Sequence, residues 1–323
     1  MNWDFIRTRL VAYVIAAGLV AFGLLSPFLF TLNLGIDMTG GTQSEYSYEA
    51  PVDMEIVRAT IDETIASLSE EDRTAVNTSN AYAITGERRF VVEIGFHADG
   101  RDDVALSSIK TAVRETLRTN LRAAFPDAAL SETRYQNVGE SFGAYIRNTA
   151  YLTLSLVIIA ISAYIAYAFW GTMQGASSLS FAIITVVTLI HDVVATFGLY
   201  VLAGWLFPQF AIDTFFITAL LTVLGYSIND TIVILDRMRS MIALPENKNK
   251  PLGDLINTAI RATMTRSIYT SSTVVFVLLA LFFFGPAPLS GFVLALLLGT
   301  VLGTYSSVFI SAPMLYDLQG KAK

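Results

Sequence analysis

Asp230 is the residue of this chain whose surroundings demand chemistry. It lies in the stretch Thr214–Met238, TFFITALLTVLGYSINDTIVILDRM. That stretch is apolar and long enough to span a bilayer, for which about 20 residues suffice. Asp230 falls roughly 22 Å along it at about 1.5 Å per residue. A carboxylate at such depth needs a partner, a water-filled cavity or a proton. Thr222, Tyr226 and Asp230 recur every four residues, so on a helix they form one polar stripe. The alternative, a surface Asp at a ragged helix end, sits poorly with the apolar run that continues from Thr231 to Leu235.

Other apolar runs carry similar stripes. In Leu179–Leu202, Thr185, Thr188, Asp192 and Thr196 fall at steps of three, four and four, with His191 beside Asp192. Arg266, Thr270 and Thr273 line up at the run Ser267–Phe284, and Arg266 stands one residue before it. Thr300, Thr304, Ser307 and Ser311 do so in Phe292–Met314, where Gly299 and Gly303 have the GxxxG spacing that lets helices approach closely. Ordinary Ser/Thr packing accounts for many of these residues but poorly for two deep carboxylates. Asp230 and Asp192 are therefore expected to serve function and not packing alone. Arg266 is either their functional cation or a side chain snorkelling to the interface. His191 is either a proton relay or a hydrogen-bonded packing residue. Arg237 reads as a charge anchor.

Two carboxylates on adjacent spans also allow an intramembrane aspartyl protease, in which the pair shares a proton and activates water. The GxGD motif of such proteases is absent, because Tyr226-Ser227-Ile228-Asn229 precedes Asp230. Neither HExxH nor GxSxG occurs. No catalytic residue, cofactor or metal site is expected.

The elements that position these residues follow from composition. The 323 residues are 54% hydrophobic and 15% charged, which points to a membrane protein. The chain has no cysteine, so disulfides and thiolate metal sites are excluded. The net charge of -6 is unevenly spread: residues 31–149 hold 19 acidic and 11 basic side chains. No basic face with interleaved aromatics suggests nucleic acid. Leu10–Phe30 is almost wholly apolar, and Ser26-Pro27-Phe28 near its end is a poor cleavage site, so it reads as an uncleaved first span.

Residues 31–149 differ in kind. After the glycine-rich GIDMTGGT, Thr42–Tyr48 reads as a strand and Pro51–Leu68 as a helix with Ile56, Ala59, Thr60, Glu63 and Ile65 at mixed helical spacing. Ala81–Thr85 and Arg89–Phe96 read as strands about Gly86, with Phe90, Val92 and Ile94 facing a core. Asp102–Phe125 is a helix with Leu106, Ile109, Val113, Leu117 and Leu121 inward, and Ala129–Val138 a last strand. Strand, helix, strand, strand, helix, strand is the ferredoxin-like order. Its surface shows no catalytic constellation, so a gripping or gating element is expected. Five further apolar runs, beginning with Tyr151–Trp170, bring the spans to six. The expected organisation is residues 1–30 as start and first span, 31–149 as an extracytoplasmic α+β domain, and 150–323 as a five-helix bundle.

Lys and Arg set the orientation. Arg7 and Arg9 lie at one end, Lys321 and Lys323 at the other, and Arg237, Arg239, Lys248, Lys250 and Arg261 between spans four and five. The links Ala203–Asp213 and Gly285–Gly291 have none, and the link Gly171–Ser178 is also uncharged. Both termini are thus expected in the cytoplasm of a multi-pass protein of the cell inner membrane, with 31–149 periplasmic.

GIDMTGGT at 35–42, the His191-Asp192 pair, GYSINDTIVILDRMRS at 225–240, RATMTRSIYTSS at 261–272 and GTYSSVFISAP at 303–313 together resemble the SecF family. These are the smaller membrane subunits of the bacterial SecD–SecF protein-export complex, in the resistance-nodulation-division superfamily. The resemblance runs end to end, although Gly139 is followed by Glu140 where proline is expected and the Gly171–Ser178 link lacks the usual arginines. It implies a proton-driven step that draws preproteins across the membrane. It implies Asp230 as the family's proton-pathway Asp, Arg266 as its functional Arg in the next span, and Asp192 as the third-span Asp. The implied partners are a SecD-like subunit in pseudo-twofold relation, the Sec translocation channel, exported preproteins, protons and membrane lipids. Two alternatives are a small-molecule proton antiporter of the same superfamily and a structural scaffold. Antiporters usually carry larger external domains and two six-span halves on one chain, and a scaffold leaves Asp230 unexplained.

Overall fold

The computed structural model describes residues 4–84, 86–97, 100–101, 103–170, 178–247 and 249–320. The chain divides into two compact units: Met1–Thr31, Tyr151–Ala203 and Phe215–Lys323 in one, Leu32–Ala150 and Gly204–Thr214 in the other. The short link at 204–214 thus packs with the polar segment, although the sequence places it among the spans.

Helix α1 spans Phe5–Leu29 and begins five residues before the apolar run expected at Leu10. The reason is a cap: the Asp4 carboxylate accepts the Arg7 backbone N–H at 3.1 Å. In the second unit a single turn, α2 (Ile36–Thr39), is closed by Gly40 at φ 78°, in the region that glycine alone enters freely. Then come β1 (Gly41–Ser47), α3 (Met54–Ala66), α4 (Glu70–Arg73), β2 (Val76–Ala83), β3 (Arg89–Phe96), α5 (Asp103–Ala124) and β4 (Ser131–Val138). The expected alternation of strands and helices is present, with the one-turn α2 and α4 added. The four strands form one antiparallel sheet in the order β2-β3-β1-β4.

One face of the sheet packs on α3 and α5. Phe90, Val92 and Ile94 meet Val57 and Ile61 of α3 and Leu106, Val113, Leu117 and Leu121 of α5, as the spacing within α5 predicts. The inner face of α3 differs from expectation. Val57, Thr60, Ile61 and Thr64 are buried, Glu63 is exposed, and Ile56 is 46% exposed. The two threonines satisfy their own hydroxyls on the preceding turn, Thr60 on the Ile56 carbonyl at 2.8 Å and Thr64 on the Thr60 carbonyl at 2.7 Å. Self-satisfied, they turn inward and rotate Ile56 out. Strand β2 starts at Val76, before the expected Ala81, and Thr85 lies outside the described residues.

The first unit holds most of the length that crosses a membrane. Among the described residues, six helical segments are long and apolar enough to do so. After α1 they are α6 (Glu140–Ala168), α7 (Ser178–Leu206), α8 (Thr214–Ala243), α9 (Leu252–Phe284) and the final segment. That last segment is broken: α10 (Ser290–Ser306) runs through a π turn at Ser307–Ser311 into α11 (Ala312–Gly320). Pro313 explains the break, because it lacks an N–H and its ring excludes the carbonyl four residues back. The 33 residues of α9 reach about 50 Å, well beyond a bilayer core of about 30 Å. Its start at Leu252 puts Arg266 inside the helix, not ahead of it as the hydropathy suggests. Residues 171–177 of the uncharged link lie outside the described residues.

Polar side chains tie the charged ends of this unit together. Asn257 at the start of α9 donates to Asp4 at 2.8 Å and accepts the Phe5 N–H at 2.9 Å. Arg9 of α1 meets Asp317 of α11 at 3.1 Å, and Tyr13 donates to the same carboxylate at 3.0 Å. The first residues of α1, the last turns of α11 and the first turn of α9 therefore share one end of the bundle.

Candidate functional site

Helix α8 is buried on two faces, and each face carries a carboxyl cluster. Its inward residues include Val223, Leu224, Ser227, Asp230, Thr231 and Ile234. Small residues on α10 let that helix close on it. A Cβ at Gly299 would meet Val223 Cγ2 at 2.3 Å, and one at Gly303 would meet Ser227 Cβ at 2.9 Å. The GxxxG spacing thus serves the α8–α10 contact.

The first cluster joins α7, α8 and α10. Asp192 of α7 is fully buried, as are Thr185, Thr188 and Thr196 of the same stripe. Its Oδ2 accepts from Ser227 Oγ of α8 at 2.5 Å and from Ser306 Oγ of α10 at 3.0 Å. Its Oδ1 lies 3.0 Å from His191 Nδ1, while His191 Nε2 is buried without a partner. One turn along α8, Thr231 and Ser307 share a hydrogen bond of 2.8 Å, and Ser307 also donates to the Ser227 carbonyl at 3.3 Å. Ser307 opens the π turn, so the irregular backbone of the last span sits against this cluster.

The second cluster joins α8, α9 and α10 around Asp230, which is 5% exposed. Ser267 and Ser271 of α9 are buried on the face that packs toward α8 and α10. The Asp230 Oδ2 and the Ser267 hydroxyl are both buried without a hydrogen-bond partner. Ser271 is a junction: Tyr226 donates to it at 2.8 Å, and it pairs with Thr304 of α10 at 2.7 Å. The polar stripe expected on α8 divides here. Asp230 and Tyr226 turn inward, whereas Thr222 is exposed and bonds its own helix at the Thr218 carbonyl, 2.8 Å away.

The stripe expected on α9 is rotated by one residue. Arg266, Thr270 and Thr273 are exposed, and Thr263, Ser267 and Ser271 face inward. Side-chain volume decides it, because serine lets α9 close on α8 and α10 while the bulkier Arg266 and Tyr269 stay outside. Arg266 lies on the exposed side of α9 and forms no ion pair with the buried Asp230. Sequence reasoning missed Ser227, Ser267, Ser271 and Ser306, the last three of which stand among other hydroxyl residues. The signal was their proximity to Asp192 and Asp230 at one helical turn on neighbouring spans. Among the described residues, no group of three His, Asp or Glu side chains is placed to hold a metal ion.

The two carboxyls thus differ: Asp192 is engaged by two hydroxyl donors and a histidine nitrogen, and Asp230 keeps an open oxygen.

Residues 112–321 match the family model described as protein export membrane protein SecD/SecF, C-terminal. The chain is 34% identical to the protein translocase subunit SecF of Desulfurispirillum indicum, over 96% of this chain and 90% of that one. It is 32% identical to the protein translocase subunit SecF of Thermobaculum terrenum, over 98% of this chain and 94% of that one. Among solved structures it resembles SecDF, a translocon-associated membrane protein from Thermus thermophilus, with a TM-score of 0.76 and 25% identity. The likeness covers 99% of this chain and 39% of that longer one.

Proposed function

Since the chain belongs to the SecF family of protein-export membrane proteins, we propose that it is a subunit of the Sec export machinery and that Asp230 couples its work to the proton gradient. It is a multi-pass membrane protein. It works with a SecD-like partner to complete preprotein translocation beside the Sec channel. The single observation that carries the coupling is the Asp230 carboxyl, buried inside a membrane helix with one oxygen open.

A carboxyl keeps its proton more readily when dry and sheds it more readily beside a cation or in water. A rearrangement that brings Arg266 over Asp230, or admits water to it, releases the proton; the reverse loads one. Alternating the side from which water enters turns this cycle into inward proton flow. Each charge crossing supplies roughly 2.3 kcal/mol per 100 mV from the electrical part alone. That biases a two-state motion of the 31–149 domain more than tenfold, since about 1.4 kcal/mol is one decade. Asp192, held by three helices, keeps α7, α8 and α10 together during the cycle and is the secondary member of the pathway.

The partner reading rests on what the chain leaves uncovered. Thr222, Asn229, Arg266, Thr270 and Thr273 are polar, exposed and carried by the membrane helices α8 and α9. Lipid is a poor neighbour for that face, and a second six-span half suits it. The Lys/Arg distribution puts both termini in the cytoplasm and 31–149 in the periplasm, in keeping with the shared end of α1, α9 and α11.

The test is preprotein export with and without a proton gradient. Asp230→Asn keeps size and hydrogen bonding but does not titrate. We expect an assembled complex that has lost gradient-stimulated export, the same loss for Arg266→Ala, and a milder one for Asp192→Asn. Normal, gradient-responsive export by Asp230→Asn returns Asp230 to a packing role and ends this reading.

A further inference from the structure

Within the second unit, the sheet face turned away from α3 and α5 is polar and is partly covered by the 204–214 link. Asn33 and Asn80 both donate to the Pro208 carbonyl, at 2.7 and 3.3 Å. The Gly35 N–H bonds the Ile212 carbonyl at 2.9 Å, and the Ile212 N–H bonds the Asn33 carbonyl at 2.8 Å. On this face β3 presents Glu93, opposite Gln43 of β1 and Asn80 of β2. Glu93 is only 7% exposed, and among the described residues no arginine or lysine bonds it in a salt bridge. Its Oε1 accepts instead from Gln43 Nε2 at 2.7 Å and, more weakly, from the Tyr82 hydroxyl at 3.4 Å.

The charged groups that face it are anionic. Asp213 acts on it from the link and Asp37 from α2, while β1 and β2 contribute the neutral Gln43, Asn80 and Tyr82. A buried carboxylate on a face partly covered by a chain segment more than 100 residues away in sequence is costly to keep charged. A neutral carboxyl there is not.

We propose that Glu93 is a second proton-binding site, outside the membrane-spanning helices, and that its occupancy latches the 204–214 link onto the sheet. Protonated Glu93 removes the repulsion with Asp213 and Asp37 and leaves the link seated through Asn33, Gly35 and Asn80. Ionised Glu93 seeks water, and the way to water is to lift the link. Because the link joins α7 directly to α8, its release loosens the connection between the helices that carry Asp192 and Asp230.

Burial pushes the Glu93 carboxyl up to about 7 from its usual 4.5; Gln43 and Tyr82 pull it partly back, and Asp213 and Asp37 raise it further. A raised carboxyl gives a definite sign. The latched form is fully favoured below the ordinary value and loses ground as pH rises through about 7. The full excursion changes the latched-to-released ratio by roughly 300-fold at most. An acidic outer phase therefore closes the latch, and a neutral to alkaline one frees it.

The absence of cysteine makes the test direct. Nitroxides at Thr78→Cys and Gln209→Cys, in the full chain reconstituted in liposomes, report the sheet-to-link distance by pulsed electron resonance. One narrow distance is expected at pH 5.5, with a longer population growing in about pH 7. Glu93→Gln, permanently neutral, should hold the narrow distance from pH 5.5 to 8.5. Asp213→Asn, which leaves Glu93 in place, should reduce the long population at pH 8.5. Asp230→Asn should leave the titration unchanged, which separates this site from the one within the membrane. An unchanging distance in the parent, or the same pH response in Glu93→Gln, overturns the proposal.

Discussion

Asp192 and Asp230 are chemically alike and differently dressed. Asp192 is saturated: two serine hydroxyls donate to one oxygen, and a histidine nitrogen lies against the other. Such a carboxyl holds three helices in register. Asp230 keeps an open oxygen, and the Ser267 hydroxyl of α9 is likewise buried without a partner. Such a carboxyl has room for a proton and for a change of partner. Removing one donor from the saturated group tests the distinction. Ser227→Ala leaves the buried Asp192 oxygen short of a hydrogen bond, at a cost of about 1–3 kcal/mol. We expect a clearly lower unfolding temperature in detergent with gradient-stimulated export retained. Loss of export at unchanged stability would move Asp192 into the proton path proper.

At the scale of elements, α8 is the axis of the bundle because its neighbours can come close. Gly299 and Gly303 of α10 pack directly on Val223 and Ser227, with no space for a side chain. Gly299→Leu forces these helices apart, and overpacking of this kind typically costs about 1–3 kcal/mol. The expected result is reduced membrane accumulation and faster proteolysis, with the same substitution at Gly18, where a Cβ would meet nothing, serving as a tolerated control. Equal tolerance at both glycines would contradict the close packing. The same elements show what the sequence reveals. The apolar runs and the two carboxylates were legible because a charge inside a hydrophobic span has few bland explanations. The α5 face was legible because five apolar residues kept helical step. The rotation of α9 was not, because Arg266, Thr270 and Thr273 form as regular a stripe as Thr263, Ser267 and Ser271. Only the packing of small serines against α8 and α10 separates the two. The start of α9 was hidden for a related reason: Arg261 and Arg266 interrupt the apolar run but not the helix. The role of the 204–214 link had no local signal, since its partners Asn33, Gly35 and Asn80 lie far away in sequence.

At the scale of the whole molecule, the proposal places the 31–149 domain in the periplasm and the charged ends in the cytoplasm. Single cysteines in this cysteine-free chain report that directly. Ser108→Cys and Asn249→Cys are both at exposed positions. A membrane-impermeant maleimide added outside intact cells should label the first and spare the second. The opposite pattern inverts the topology, and with it the direction of proton flow. The central claim is that Asp230 carries the proton, and the most direct measurement is proton-dependent conductance of the reconstituted complex with its SecD-like partner. A conductance that grows with the proton gradient is expected for the parent and is expected to vanish in Asp230→Asn, with the complex intact by gel filtration. A proton-dependent conductance of parental size in Asp230→Asn would contradict the account.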